Sequence, residues 1–295
     1  GIEAVLTTQH HKEKLIAPAL APLGIKVIHH QFDTDLLGTF SGEIPRTLSQ
    51  RETALKKARI GMEDKGIRFG LASEGSIGAD PLVPFINSAI EAIAWVDDLH
   101  GIEIVEFERG TEVIAVKTEV SSIDELGDFL ERADFPNHAL ICYQAGGKGN
   151  IYKGLCELAA LEEAIQEITK RGSAVVESDL RAHMSPSRSE VIKNCAQRLA
   201  NRLSKQCDEC GAPGFGTTSN LYGLNCEECG ELVSKAVRGE LESCAKCSHK
   251  QEKLNGRARA SAAQCERCNP LIIFNELLLW SRVLRCHIGK LCKVK

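Results

Sequence analysis

Eight of the thirteen cysteines occur as four Cys-x-x-Cys pairs near the C-terminal end of the sequence. Two thiolates separated by two residues can bind the same ion, and two such pairs about 15 to 20 residues apart are typical of a four-thiolate zinc site. The spacing therefore predicts two zinc ions in a tandem, or double, zinc ribbon. The predicted ligands are Cys207, Cys210, Cys226, Cys229, Cys244, Cys247, Cys265 and Cys268.

The connectivity of the four pairs is less strongly specified than their chemistry. Short local loops cost less entropy to close, which favours neighbouring pairs sharing an ion: 207/210 with 226/229, and 244/247 with 265/268. The alternative is a cross-braced arrangement. In either case all four ligands are sulfur and no position is left for water, so we expect structural rather than catalytic zinc.

The turn after each pair supports the metal prediction. A residue that tolerates positive φ is favoured directly after the second cysteine of such a turn. Gly211, Gly230 and Asn269 suit that position, and Ser248 does not. The module could serve as a docking surface for protein or nucleic acid, or it could be a stabilising cap.

The composition describes a globular chain with no strong pull toward nucleic acid. The 295 residues are 43% hydrophobic and 26% charged, with a net charge of -4, so only a local basic patch could attract nucleic acid. Grouped Cys-x-x-Cys thiols indicate a reducing compartment, and we expect a cytoplasmic protein. We expect no membrane partner either, since the apolar run in residues 271–295 is short and interrupted. The start at Gly1 without methionine suggests that the true start is missing, and the tail is either an amphipathic helix that docks on the domain or a readthrough or frameshifted end.

The elements that must position any site alternate between strand-like and helix-like segments. This alternation predicts an α/β fold with a mixed sheet flanked by helices. A basic amphipathic helix, opened by a capping box at Ser187 and Glu190, then links this domain to the ribbons. The predicted divisions are an α/β domain in 1–185, a linking helix in 186–206, the double ribbon in 207–270 and a tail of doubtful authenticity in 271–295.

Polar residues follow several predicted strands of the α/β domain. Lys12 follows the first strand at the start of a helix, where an anion could bind. Glu43 and Glu74 lie beside glycines and could hold Mg²⁺, with Arg46 as a phosphate contact. Ordinary capping and turn chemistry is the alternative for each of these groups.

A third group occupies the segment from Glu177 to His183. If that segment is extended, its period of two places Asp179, Arg181 and His183 on one side with Glu177. An acid, a base and a guanidinium there suggest phosphate or metal chemistry, and a solvated edge strand is the alternative. Lys148, in a glycine-rich loop that lacks the full P-loop pattern, is a further candidate phosphate contact.

Two resemblances accompany these motifs. The order of FDTDLLGTFSGEIPRT, LSQRETALKKAR, FGLASEGSIG, ESDLRAHMSPSR and the ribbon resembles an uncharacterised bacterial family, one of the domains of unknown function, over residues 4–270. The N-terminal third is distantly similar to the inosine triphosphate pyrophosphatases. That similarity implies a triphosphate contact for Lys12 and a Mg²⁺ site at Glu43 and Glu74, although Gln9 and His10 replace the Gly-Asn of that family's phosphate loop.

Two functions from different classes therefore remain open. One is a nucleoside triphosphate pyrophosphatase-like enzyme, a Mg²⁺-dependent hydrolase of a nucleotide or another phosphorylated small molecule. In it Glu43, Glu74, Asp179 and His183 act in catalysis, and the phosphate contacts are Lys12, Arg46, Lys148 and Arg181. The other is a non-catalytic module that binds nucleic acid or protein through the basic helix and the zinc ribbons.

Overall fold

The computed structural model describes residues 1–8, 12–32, 48–81, 83–147 and 149–270. These residues form two compact units that divide between Ser204 and Lys205. The first unit is mixed α/β and the second contains the four cysteine pairs. The predicted fold class is therefore confirmed. None of the helices in these ranges is long and apolar enough to cross a membrane.

A five-stranded mixed sheet forms the larger half of the first unit. Its strand order is β2-β1-β3-β4-β5, with β1 parallel to β2 and β3 and the remaining pairs antiparallel. Because β1 lies between β2 and β3, the chain leaves β1 toward one side of the sheet and leaves β3 toward the other. The strands are β1 (Ile2–Thr7), β2 (Ile25–His30), β3 (Phe69–Ala79), β4 (Asn87–Asp97) and β5 (Ile102–Gly110).

Helices cover both faces of this sheet. Helix α2 (Gln50–Lys65) begins at the predicted Ser49–Glu52 capping box and packs small side chains against the alanines of β3 and β4. Helix α1 (Glu13–Leu20) packs against α5 (Pro186–Leu203), which lies on β4 and β5. Since successive side chains of a strand point to opposite faces, Ala72 and Glu74 face α2, whereas Ser73 and Gly75 face α1 and α5.

A smaller antiparallel sheet completes the first unit. Its order is β6-β9-β7-β8, and one face packs against the amphipathic helix α4 (Leu158–Thr169) and the single-turn helix α3 (Phe129–Arg132). Phe129, Leu140 and Leu161 are fully buried between these elements. The strands are β6 (Lys117–Val120), β7 (Leu140–Gln144), β8 (Ile151–Leu155) and β9 (Ala174–Ser178).

Two local features of this region differ from the sequence analysis. Strand β9 ends at Ser178, so the condition for the alternation from Glu177 to His183, an extended segment, is not met. The carboxylate of Asp179 instead accepts hydrogen bonds from Arg181 and from the Gly154 amide, which turns the chain. Strand β8 was not predicted, because its residues follow a glycine-rich loop and directly precede a strong helical pattern.

The N-cap of helix α5 lies two residues before the one that the Ser187–Glu190 capping box predicts. Ser185, not Ser187, is the N-cap, and its hydroxyl accepts from the Arg188 amide. Pro186 occupies the first helical position, where its fixed φ and missing N–H are favourable. By packing, α5 belongs to the first unit rather than standing between the two.

The described part of the second unit is a three-stranded antiparallel sheet. Its order is β10-β11-β12, with β10 (Gly216–Asn225) and β11 (Leu232–Ser243) forming a long hairpin and β12 (Lys250–Leu254) pairing with the end of β11. Cys226, Cys265, Val233 and Ala236 are among the residues that form its small core. The cysteine pairs therefore supply much of the interior of this unit.

Candidate functional site

The long hairpin decides which cysteine pairs meet. At about 3.3 Å per residue, the ten residues of β10 separate the first cysteine pair from the second by about 30 Å. Strand β11 then returns the chain, and Ser243 lies opposite Gly216 at the start of β10. The first and third pairs therefore share one end of the hairpin, and the second and fourth pairs share the other.

The expected pairing of sequence neighbours is thus wrong, and the arrangement is cross-braced. One cluster is Cys207, Cys210, Cys244 and Cys247, and the other is Cys226, Cys229, Cys265 and Cys268. Loop entropy favoured short loops, but the hydrogen bonds of the hairpin keep the ends of the first loop far apart. Local loop length is therefore a poor guide to connectivity when a long hairpin intervenes.

The sulfur geometry of both clusters fits tetrahedral zinc. Sulfur–sulfur distances are 3.8 Å for Cys207–Cys247 and 3.6 Å for Cys210–Cys244, with 3.8 and 3.6 Å for the matching pairs of the second cluster. A tetrahedron with Zn–S bonds of about 2.3 Å has edges of about 3.8 Å. All eight thiols are free rather than disulfide-bonded. Each cluster can therefore hold one metal ion without rearrangement.

Backbone amides prepare the thiolates for a cation. The N–H groups of Lys246 and Cys247 donate to the sulfur of Cys244 at 3.2 and 3.3 Å. Burial opposes ionisation of Cys244, but these amides lower the pKa of its thiol to about 6. An amide of Cys229 likewise helps to lower the pKa of Cys226 to about 7. Zinc binds the thiolate form, so Cys244 and Cys226, one in each cluster, are ready to ligate near neutral pH.

The predicted turns are present after the first two pairs. Gly211 and Gly230 have φ of 67° and 74°, and their amides donate to the carbonyls of Cys207 and Cys226. Asn269 makes the equivalent hydrogen bond to Cys265 without positive φ, since Asp134 is the only non-glycine residue with positive φ in the described ranges. The prediction of positive φ is therefore correct for the glycines and wrong for Asn269.

A second cluster of functional side chains lies just beyond the carboxyl end of β1, beside the middle of β3 and β4. Lys12 is 5% exposed, and its ammonium donates to Ser73 Oγ at 2.9 Å and to Glu91 Oε1 at 2.6 Å. Burial lowers the pKa of Lys12 below its ordinary value, the Glu91 carboxylate opposes that shift, and nearby Arg188 adds to it. Lys12 is therefore a buried cation held by one carboxylate and repelled by another cation.

Arg188 completes what we call the buried charge cluster, made of Lys12, Ser73, Glu91 and Arg188. A Cβ on Gly75 would lie 2.8 Å from Arg188 Nη2 and closer still to Glu91 Oε2, so the absence of a side chain at Gly75 leaves room for both groups. The other guanidinium nitrogen, Nη1, donates to the carbonyl of Leu180. Helix α5 thereby brings a second cation to the site.

Glu74 lies at the same level of β3 but on the opposite face. Its carboxylate forms a buried ion pair with Lys57 of α2. Glu74 and Glu91 therefore do not converge into a carboxylate pair. On the two faces of the sheet at this level, the described buried charges are an excess of cations over carboxylates. The cations are Lys12, Lys57 and Arg188, and the carboxylates are Glu74 and Glu91.

The other predicted site residues have different surroundings. Asp179 is buried, and its carboxylate accepts from Arg181 Nε at 2.9 Å and Nη2 at 2.6 Å. Burial opposes ionisation, but these hydrogen bonds lower the pKa of Asp179 below its usual range. His183 is exposed in the following turn. The carbonyl of Leu180, between Asp179 and Arg181, connects this turn to Arg188.

Three predicted site residues, Glu43, Arg46 and Lys148, lie outside the described residues. Glu91, Arg188, Ser73 and Lys57 were not predicted. Glu91 lies in an apolar strand 79 residues from Lys12, and Arg188 reads as one basic residue among several on a helix. The only signal in the sequence was the position of Glu91 and Arg188. Each is a charged residue on the apolar side of a strand or helix, where a charged side chain requires a partner.

The comparisons with known proteins identify a family and no activity. No curated protein and no solved structure matches the chain. A family model described as Domain of unknown function (DUF6671) matches residues 57–270, which include β3, β4, α5 and all eight clustered cysteines. Because that match covers more than half of the chain, the protein belongs to this family of unknown function.

Proposed function

We propose that the α/β unit binds the phosphate groups of a nucleotide, or of another phosphorylated small molecule, at the buried charge cluster and hydrolyses that ligand. The observation that carries the proposal is the buried ammonium of Lys12, held between Ser73 and Glu91 just beyond the carboxyl end of β1. Ligands of open α/β sheets bind outside the carboxyl ends of strands where the connections diverge in opposite directions. The distant similarity to inosine triphosphate pyrophosphatases implies the same role for Lys12.

The charges of the cluster suit an anion. Lys12 and Arg188 would neutralise phosphate oxygens, and the guanidinium can donate two hydrogen bonds to them. Ser73 accepts from Lys12, so its hydroxyl proton remains available to the ligand. Glu91 orients Lys12 in the free protein and would share it with the phosphate on binding.

The described residues support a Mg²⁺ site less well than they support an anion site. Lys57 is paired with Glu74, Glu91 faces the other side of the sheet, and Glu43 is outside the described ranges. Within the described residues, the two cysteine clusters are the only groups of three or more potential ligands with metal-binding spacing. Binding of Mg²⁺ by Glu43 and Glu74 therefore stays a prediction that rests on the resemblance.

Binding of nucleic acid through the basic helix has little support. Arg202 forms an ion pair with Glu106 of β5 at 2.8 Å, and Arg198 lies within 3.7 Å of the same carboxylate. Arg188 is buried in the charge cluster. Much of the basic charge of α5 is therefore neutralised inside its own unit and is not presented to a partner.

Phosphate and pyrophosphate release from a panel of nucleoside triphosphates with Mg²⁺ tests the proposal. The protein should first be shown to contain two zinc ions per chain. We expect selective turnover. By the resemblance, Glu74→Gln should abolish turnover, whereas the position of Glu74 on the opposite face of β3, paired with Lys57, means that this variant should leave binding at the charge cluster intact. Glu103→Gln is the matched control, since Glu103 forms an exposed ion pair with Arg59.

Circular dichroism should show that both variants keep the wild-type fold. Full activity in Glu74→Gln would remove that residue from the mechanism. Absence of turnover for every triphosphate, in protein with both zinc ions bound, would reject the hydrolase proposal.

A further inference from the structure

A buried histidine connects the smaller sheet to the first turn of α5. His138 is 4% exposed, and its Nδ1 lies 2.8 Å from a carboxylate oxygen of Asp134. On the other side of the ring, Nε2 accepts from the backbone N–H of Ser187 at 3.1 Å and lies 2.9 Å from the Ser187 hydroxyl. Asp134 thus fixes the ring so that Nε2 faces the start of the helix.

The order of side chains resembles that of a serine hydrolase triad, but the hydrogen bonds favour another role. The Ser187 hydroxyl accepts from the Ile114 amide at 3.1 Å, which reduces its nucleophilicity. Nε2 is occupied by the Ser187 amide, and a general base needs that lone pair. The histidine therefore acts on the helix backbone, as a side chain that satisfies one of the free N–H groups of the first turn.

Asp134 is suited to holding the histidine. It adopts a left-handed conformation with φ of 52°, and asparagine and aspartate are the side chains that accept this region most readily. Its carboxylate is hydrogen-bonded by Asn137 and His138, and these contacts lower the pKa of Asp134. Because a backbone N–H can only donate, the Ser187 amide requires Nε2 to be an acceptor, and Nδ1 then donates to the Asp134 carboxylate.

The next residue of the helix is Arg188. Its amide is capped by Ser185, and its side chain extends to the charge cluster. His138, in the α3–β7 connection, thus holds the Ser187 amide, and the next residue, Arg188, contributes its side chain to the proposed ligand site. A shift of the first turn of α5 would move the guanidinium relative to Lys12 and Glu91.

We propose that Asp134 and His138 are positioning residues for the phosphate site, which set the place of Arg188 by anchoring the Ser187 amide. This inference rests on the proposed function. It adds that anion affinity depends on a histidine that touches no ligand. Arg188 is a binding group here, so loss of the anchor should weaken binding more than it slows turnover.

The test compares His138→Leu with His138→Gln in the full chain. Leucine removes the acceptor, whereas the glutamine carbonyl oxygen can accept from the Ser187 amide. Calorimetry with inorganic triphosphate should show a Kd raised roughly fivefold in His138→Leu, the size of a lost N-terminal cap, and largely restored in His138→Gln. Hydrogen exchange at the Ser187 amide should be faster only in the leucine variant. His100→Leu, in the β4–β5 turn, is the control.

The outcomes separate the two proposals. Absence of triphosphate binding by the wild type would overturn both. If the wild type binds triphosphate and His138→Leu binds it with the same Kd, the positioning role alone would be overturned, whether or not exchange at the Ser187 amide is faster. Equal loss of affinity in the leucine and glutamine variants would also contradict it, because the acceptor would then be irrelevant.

Discussion

At the scale of single residues, the two kinds of site are built on opposite principles. The cysteine clusters gather sulfur ligands whose mutual repulsion, once ionised, a bound metal cation would relieve. The buried charge cluster instead pairs cations with carboxylates, and it leaves Lys12 next to a second cation, Arg188. Breaking such a buried pair by removing one partner costs about 3 to 5 kcal/mol, whereas replacing both partners can be nearly neutral. Variants of the cluster are therefore best made in pairs.

Removal of one zinc ligand should remove one ion and leave the other. We expect Cys210→Ser or Cys229→Ser to lower the zinc content from two ions per chain to one, because each belongs to a different cluster. Elemental analysis measures this directly. Cys156→Ser, at an exposed thiol outside both clusters, should retain two ions. A single variant that loses both ions would indicate that the two sites are coupled.

Asp97 should make acid stability depend on Arg68 and His100. Burial raises the pKa of this carboxyl, but hydrogen bonds from Arg68 and His100 lower it to about 2. Because the folded pKa is lower than the unfolded value, the stabilisation is present above about pH 4 and is lost as the pH falls toward 2. Asp97→Asn should cost about 1 to 2 kcal/mol in the free energy of unfolding at pH 7, and less at pH 3. Equal costs at both pH values in urea unfolding would contradict this assignment.

At the scale of elements, the sequence predicts the existence of most strands and helices better than it predicts their relations. The period of α4 and the capping box of α2 identify those helices, since both signals are local. The zinc pairing was wrong because it depends on the length of the β10–β11 hairpin. Lys12 stays a predicted site residue, and its partner Glu91 could not be found locally, because only the sheet register brings them together.

Gly239 tests whether the close approach of β12 to β11 matters for metal binding. A Cβ there would lie 2.8 Å from Cα of Leu254 and closer still to the carbonyl oxygen of Lys253, both of which are backbone atoms. Gly239→Ala should therefore separate the two strands and weaken zinc binding. Competition with a chromogenic chelator measures that loss. Gly78→Ala, which has open space around the added carbon, should bind zinc like the wild type.

At the scale of the whole molecule, the chain combines an α/β unit with a second unit whose cysteine clusters could hold metal ions. The α/β unit has its own hydrophobic cores on both sheets, whereas the small core of the second unit includes its cysteines. A structural zinc site of this kind contributes directly to folding. The proposed chemistry belongs to the first unit alone, so the zinc ions should affect it only through the stability of the chain.

Chelation should therefore unfold one unit and spare the other. With a strong chelator, we expect amide hydrogen exchange to become fast in the described residues after Lys205 and to stay slow in the strands of the five-stranded sheet. Zinc added back should restore protection. Loss of protection throughout the chain would show that the α/β unit depends on the metal, contrary to this account.

The central claim is that Lys12 belongs to a phosphate-binding site, and equilibrium binding of inorganic triphosphate tests it most directly. The useful variant is Lys12→Met with Glu91→Gln, which removes both charges of the buried pair together. Lys26→Met with Glu3→Gln, at an exposed ion pair on the same sheet, is the matched control. We predict binding by the wild type and the control and none by the Lys12 double variant. Equal binding by all three folded proteins would contradict the claim.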